Sequence, residues 1–293
     1  MNLLRRTMLA CLLTLHSLAA WAIAPYIAGD RVAAGSLPAV AAAVEARLQA
    51  AGFRVLGVYT PQSLPTHAVV VATDAALLEA IRTLGGSAIV AAPIRVAITT
   101  DGVVSYTNPD YWSRAVFRHR YAQAEPAVLA VQARLAKALG AGPGFGGDVV
   151  AVDLPRYRYL IGMEHFDDDK NLLARHANFE TAVQTVQANL ARGVAGVSKV
   201  YELVIPEREI ALFGVAMNSP ANGDATLLKK LGVEDRIAGY PYEMFVQGGE
   251  VHALYARYRL ALAFPDLSMA HFMRIVYAPG EIRSTLVTVA GGN

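Results

Sequence analysis

The feature that most limits what this chain can become is that it repeats itself. "DAALLEAIRTLG", from Asp74, aligns with "DATLLKKLGVED", from Asp224, so Leu77 and Leu78 match Leu227 and Leu228, and Ile81 matches Leu231. In each copy an Asp N-cap is expected to open an amphipathic helix. Upstream, "VEARLQAAGFRVLGVYTP" parallels "VQANLARGVAGVSKVYELVIP", pairing Val44 with Val186, Leu48 with Leu190 and Tyr59 with Tyr201. Both stretches read as a helix running into a strand. Downstream, "PIRVAITTDGVV" parallels "PYEMFVQGGEV", with Ile94, Val96 and Ile98 matched by Tyr242, Met244 and Val246. Period-two alternation followed by Asp101-Gly102 or Gly248-Gly249 signals a hairpin. Beyond it, "PDYWSRAVF" from Pro109 answers "PDLSMAHFM" from Pro265, and "YAQAE" from Tyr121 answers "YAPGE" from Tyr277 at the same offset.

The unit is therefore helix, strand, strand, helix, strand, strand, helix, present as two tandem copies over about residues 36 to 140 and 178 to 290. Hairpin-linked strands with helices on one face predict an α+β fold with antiparallel-rich sheets. The copies are expected to pack around a pseudo-twofold axis, as the subunits of a homodimer would. The domains follow: 1–22 a signal peptide, 23–140 the first repeat domain, 141–177 a linker with an inserted strand, and 178–293 the second repeat domain.

"GFRVLGVYTP", "HAVVVATDAALLEAI" and "APIRVAITTDGVVSYTNPDYW" together resemble the domain of unknown function family 302. The resemblance covers most of the first unit and, more faintly, the second. It implies a compact α+β domain, often dimeric, with no established activity. Relatives often carry a cysteine after the proline of the third strand; here Ile94 follows Pro93 and Tyr242 follows Pro241, so thiol chemistry does not carry over.

The N-terminus places the chain in a compartment. Arg5 and Arg6, an apolar run from Met8, and Ala20-Trp21-Ala22 form a three-part secretory signal with cleavage expected after Ala22, which implies a periplasmic or secreted protein. Membrane attachment is expected only through this segment if it stays uncleaved. The single cysteine, Cys11, lies inside it, so the mature chain can form no disulfide, thiolate metal site or cysteine nucleophile. Across 293 residues the formal net charge is only +2, with basic residues dispersed, so no nucleic-acid partner is expected. A hydrophobic fraction of 54% supplies ample core.

"GPGFGG", residues 142 to 147, satisfies a dinucleotide fingerprint literally, but a helix precedes it and a strand-like run follows, the reverse of the required order. It reads as a helix cap plus flexible linker. "MEHFDDDKNLLARH" gathers Glu164, His165, Asp167, Asp168, Asp169 and His176. These are hard metal ligands, yet "RYRYLIGMEHF" alternates like a strand and the acids would cap a helix beginning at "NLLARH". In "LYARYRLALAF", read as a long strand, Tyr255, Arg257 and Arg259 share one side and could hold an anionic or aromatic ligand.

Met269, His271 and Met273 suggest a soft-metal site only if the segment is extended. The repeat places them on a helix, where residues two apart diverge by about 200° and residues four apart by about 40°. Met269 and Met273 then share a face, with a core-packing role expected, while His271 points away. No metal or other cofactor is favoured; the weak metal candidates are His165, Asp167, His176 and His271. With no G-x-S-x-G, H-E-x-x-H or P-loop, the expected function is a non-enzymatic binding module for a small ligand or a periplasmic protein partner. The alternative is a metal- or haem-dependent redox protein using His/Met or His/Asp ligands. A homodimer is a further expectation.

Overall fold

Two large antiparallel sheets organise the protein, as the hairpin signals require, and a third, two-stranded sheet pairs Ala22–Ile23 with Val149–Val150. The computed structural model describes residues 21–292, so the predicted leader lies outside the described residues except for Trp21 and Ala22. In the first half the order is β1 (Ala22–Ile23), β2 (Tyr26–Ala28), α1 (Leu37–Ala50), β3 (Arg54–Tyr59), β4 (His67–Thr73), α2 (Ala75–Leu84), β5 (Ile94–Thr99), β6 (Val104–Thr107), α3 (Pro109–Phe117) and α4 (Tyr121–Leu139). The connecting segment carries β7 (Gly144–Phe145) and β8 (Val149–Val150). The second half runs β9 (Leu172–Arg175), α5 (Phe179–Ala191), β10 (Val197–Ile205), β11 (Ile210–Met217), α6 (Asp224–Leu231), β12 (Tyr242–Gln247), β13 (Glu250–His252), α7 (Ala256–Ala263), α8 (Met269–Met273) and α9 (Ala278–Ala290).

The sheets are ordered β3-β4-β5-β6-β2-β7 and β10-β11-β12-β13-β9. Each half thus adds a short strand from before its first helix, β2 or β9, to the outer side of its second hairpin. Helix α1 covers one face of the first sheet, with α4 packed against α1, α2 and α3, and α5 and α9 pack on the second. The opposite faces are covered reciprocally. A 3-10 helix of the first half, Gly86–Ala91, packs on β11 and β12, and its counterpart in the second half, Glu234–Gly239, packs on β4, β5 and β6. This explains why β11, "IALFGVAM", is buried at every position instead of alternating.

Edge strands β3 and β10 also meet, each with a bulge near the contact. A Cβ built on Gly57 would lie 2.5 Å from the Val200 carbonyl oxygen, so the approach needs a residue without one.

At the centre of the join lies an ionic cluster. Arg95 of β5 pairs with Glu243 of β12, and Arg259 of α7 pairs with the same carboxylate at 3.2 Å; all three side chains are 3–4% exposed. Arg95 Nε donates to the Ala238 carbonyl at 2.8 Å and Arg259 Nη2 to that of Gly239 at 2.7 Å. Both guanidinium carbons lie 4.8 Å from the centroid of the Trp112 ring.

The two Asp positions diverge in role. Asp74 caps α2 as expected, accepting from the N–H groups of Ala76 and Leu77 at 2.9 and 3.1 Å. Gly223, not Asp224, is the N-cap of α6. The fully buried Asp224 carboxylate instead accepts the Tyr59 hydroxyl at 2.6 Å, across the join, and the Met217 N–H at 3.0 Å, leaving Oδ1 without a partner among the described residues. Burial pushes this carboxyl up to about 7, more than the Tyr59 and Met217 hydrogen bonds can offset.

Several local expectations fail, each for a tertiary reason. "LYARYRLALAF" is not a strand: α7 is a helix buried on nearly every side, and a helix without a solvent face loses its 3.6-residue pattern. "RYRYLIGMEHF" forms turns, and "NLLARH" supplies strand β9, recruited by β13. The glycine-rich segment is no free linker, because Gly144 and Phe145 pair with Ile27 and Tyr26.

Replacing Glu243 by Gln leaves two buried guanidinium groups without their counter-charge. We expect a loss of about 3–5 kcal/mol, read from denaturant unfolding. Gly57→Ala should cost about 1–3 kcal/mol by forcing the edges apart, seen as a lower midpoint with an unchanged slope. Asp224 binds a proton in the folded state that it releases in the unfolded chain between about pH 4 and its folded value. Stability should therefore fall as pH rises through that window, by at most about 1.4 kcal/mol per pH unit, and level off above it. Asp224→Asn should remove this decline when midpoints are compared from pH 5 to pH 8.

Candidate ligand groove

Helix α7 sets the position of the site. Its last carbonyls cannot find intrahelical partners, and three tyrosines from elsewhere supply them. Tyr157 donates to Ala261 at 2.8 Å, Tyr111 to Leu262 at 2.8 Å and Tyr26 to Ala263 at 2.9 Å. Two of these come from the first half and one from the connecting segment, so α7 is pinned to both. Beyond it the chain turns at Phe264 and Pro265 and enters α8, where the Ser268 hydroxyl oxygen accepts the His271 N–H at 3.4 Å as the N-cap.

Between α7, α8, the 157–163 turns and β8 lies a groove of about 410 Å³. Buried Ala261 and Phe264 and half-buried Leu267 and Phe272 line it, as do Leu160, Met163, Met269, Met273 and Val276. Met269 and Met273 lie four apart on α8, on one face as predicted, but they do not pack a core: they are 65% and 58% exposed. Leu160, Ile161, Val276 and Tyr277 extend the exposed apolar surface nearby in sequence. An apolar surface of this kind beside a groove is the usual mark of an interaction site.

The polar wall is built on Glu164. This buried carboxylate accepts from Tyr159 Oη at 2.7 Å, Lys170 Nζ at 2.5 Å and Arg257 Nη2 at 2.7 Å. Burial alone would raise its carboxyl, but the hydrogen bonds from Lys170 and Tyr159, with the charge of Arg257, outweigh it and hold the group at about 2. The Tyr255 ring receives both cations, with Lys170 Nζ 5.1 Å and Arg257 Cζ 5.5 Å from its centroid.

The expected trio is thus divided. Tyr255 and Arg257 meet around Glu164, and Arg257 reaches the groove, whereas Arg259 faces the opposite way into the buried cluster with Glu243. Residues two apart part company on a helix, which is why the strand reading grouped them.

The metal candidates are scattered and engaged. His165 Nδ1 accepts the Asp167 N–H at 3.2 Å, and Asp167 pairs with Arg118. His176 Nε2 contacts the Ala290 carbonyl at 2.9 Å, and His271 Nδ1 contacts Ser268 Oγ at 2.8 Å. Among the described residues no three His, Asp or Glu side chains are grouped to hold an ion.

Two further depressions, of about 540 and 460 Å³, sit at corresponding places on the two sheets. One is bounded by Ala97, Ser105 and Ala28, the other by Phe245, His252 and Leu172. Their polar groups are largely matched internally: Asp101 with Arg31 and Thr99, Glu250 with Arg175 and His252. His252 stacks on Phe245, and burial lowers its basicity despite Glu250. The second depression also presents Asp169, which makes no ion pair among the described residues, on a lining where only Leu172 and Phe245 are apolar.

No family model, curated protein or solved structure matches the chain. Among the described residues, no helix is long and apolar enough to cross a membrane.

Arg158, Met163, Phe264 and Phe272 were not legible as site residues. Three of the five methionines among the described residues line one groove, but Met163 is remote in sequence from Met269 and Met273, and only folding unites them.

Proposed function

We propose that the protein is an exported, non-enzymatic binding protein that takes a small, largely apolar ligand in the groove between α7 and α8. The observation that carries this reading is the groove itself: about 410 Å³, within the range of small-molecule sites, with exposed methionines on its rim. Thioether side chains are flexible and polarisable, and they line surfaces that accept apolar ligands of varied shape. The resemblance to the domain of unknown function family 302 adds no catalytic expectation to it. Export is supported by the leader, and cleavage after Ala22 would leave Ile23, the buried residue of β1, as the first mature residue.

The apolar fluorophore N-phenyl-1-naphthylamine tests the reading. Its emission should rise and shift to the blue on mixing with the mature protein. Met269→Glu combined with Met273→Glu should abolish the change while moving the unfolding midpoint little, because both positions are exposed. A wild-type protein that leaves the dye spectrum unchanged would overturn the proposal.

A further inference from the structure

The groove's polar groups are mostly committed, and two of the three exceptions are cationic. Tyr157 Oη donates to the Ala261 carbonyl, Tyr159 Oη to Glu164, and Ser268 Oγ is engaged with His271. Arg257 Nε is different: it is buried and has no hydrogen-bond partner among the described residues. A buried donor left in that state costs about 1–3 kcal/mol. Glu164 does not accept from it, since the carboxylate meets Arg257 only at Nη2 and shares its single negative charge between Arg257 and Lys170. The exposed Arg158 also lines the groove and makes no ion pair among the described residues. One acid, Asp148, is on the lining; it is exposed and likewise makes no ion pair among the described residues.

From this charge balance, and resting on the apolar-ligand reading above, we infer that the groove binds a free single-chain amphiphile with a carboxylate head group. The carboxylate lies at Arg257 and Arg158, where guanidinium groups offer planar, paired donors that match it. The chain runs along Phe272, Met269 and Met273. A volume of about 410 Å³ is near the lower end for ligand sites, which suits one alkyl chain better than two.

The test uses the mature protein and dodecanoate, dodecanol and dodecylammonium, each below its aggregation concentration, competing with the same fluorophore. Dodecanoate should bind about ten- to a hundredfold more tightly than dodecanol, the range of a hydrogen bond to a charged group. Arg257→Met should bring dodecanoate down to the level of the alcohol. Arg158→Gln, at an exposed position that leaves the fold intact, should produce a smaller loss of the same kind. Equal binding of acid and alcohol to the wild type would overturn the head-group assignment and leave the apolar-ligand reading standing. Tighter binding of dodecylammonium would overturn it in favour of Asp148. Binding of the fluorophore with displacement by none of the three would overturn the single-chain assignment, whereas no fluorophore binding would remove the underlying reading as well. Sedimentation with anionic but not zwitterionic phospholipid vesicles, without displacement by dodecanoate, would assign the charge to a membrane surface and overturn the free-acid proposal.

Discussion

The architecture depends on a buried pairing of opposite charges at the join, Arg95 against Glu243, with Arg259 closing the other side of the carboxylate. Arg95 and Glu243 occupy the same place in their strands, the second residue of β5 and of β12. Two identical subunits would bring like charges together there, at a cost no packing could easily offset. A single chain can place unlike residues at the two positions, and here it sets a cation against an anion. Trp112 lies against both guanidinium groups, and the Ala238 and Gly239 carbonyls each accept a hydrogen bond from one of them. Removing water from three charges is tolerable only because each finds such partners.

The same divergence runs through the rest of the join and leads to the groove. Asp74 keeps its capping role, whereas Asp224 turns away from its helix toward Tyr59 of the other half. As α3 does in the first half, α7 directly follows the second hairpin in the second half. Arg259 anchors this helix inwardly, and the hydroxyls of Tyr26, Tyr111 and Tyr157 complete its end. Two positions earlier, Arg257 is directed by the helical turn to the outer wall, where Glu164 and Tyr255 hold it. One helix, α7, therefore supplies both the lock at the join and a wall of the groove.

Much of the fold was legible because it rests on local rules. Asp74 before an apolar run marks a helix start, Gly248-Gly249 marks a hairpin, and "PDLSMAHFM" reads correctly as helical at its end, with Met269 and Met273 on one face. The site was barely legible. "ARYRLALA" looks like an alternating strand because a helix buried on nearly all sides has no polar stripe to reveal its period. "NLLARH" looks like the start of a helix, but the open edge of β13 makes it a strand.

The sequence by itself determined an α+β chain of antiparallel sheets with their helices, since capping, alternation and turn chemistry act over a few residues. It also determined that no cysteine chemistry is open to the chain after Cys11. Only the tertiary structure decided which charges are buried and which are presented to a ligand. Arg257 and Arg259 are the same residue type two positions apart, and nothing local separates them. The turn of α7 sends one to Glu243 in the core and the other to the groove, because burial is a property of everything packed around a side chain.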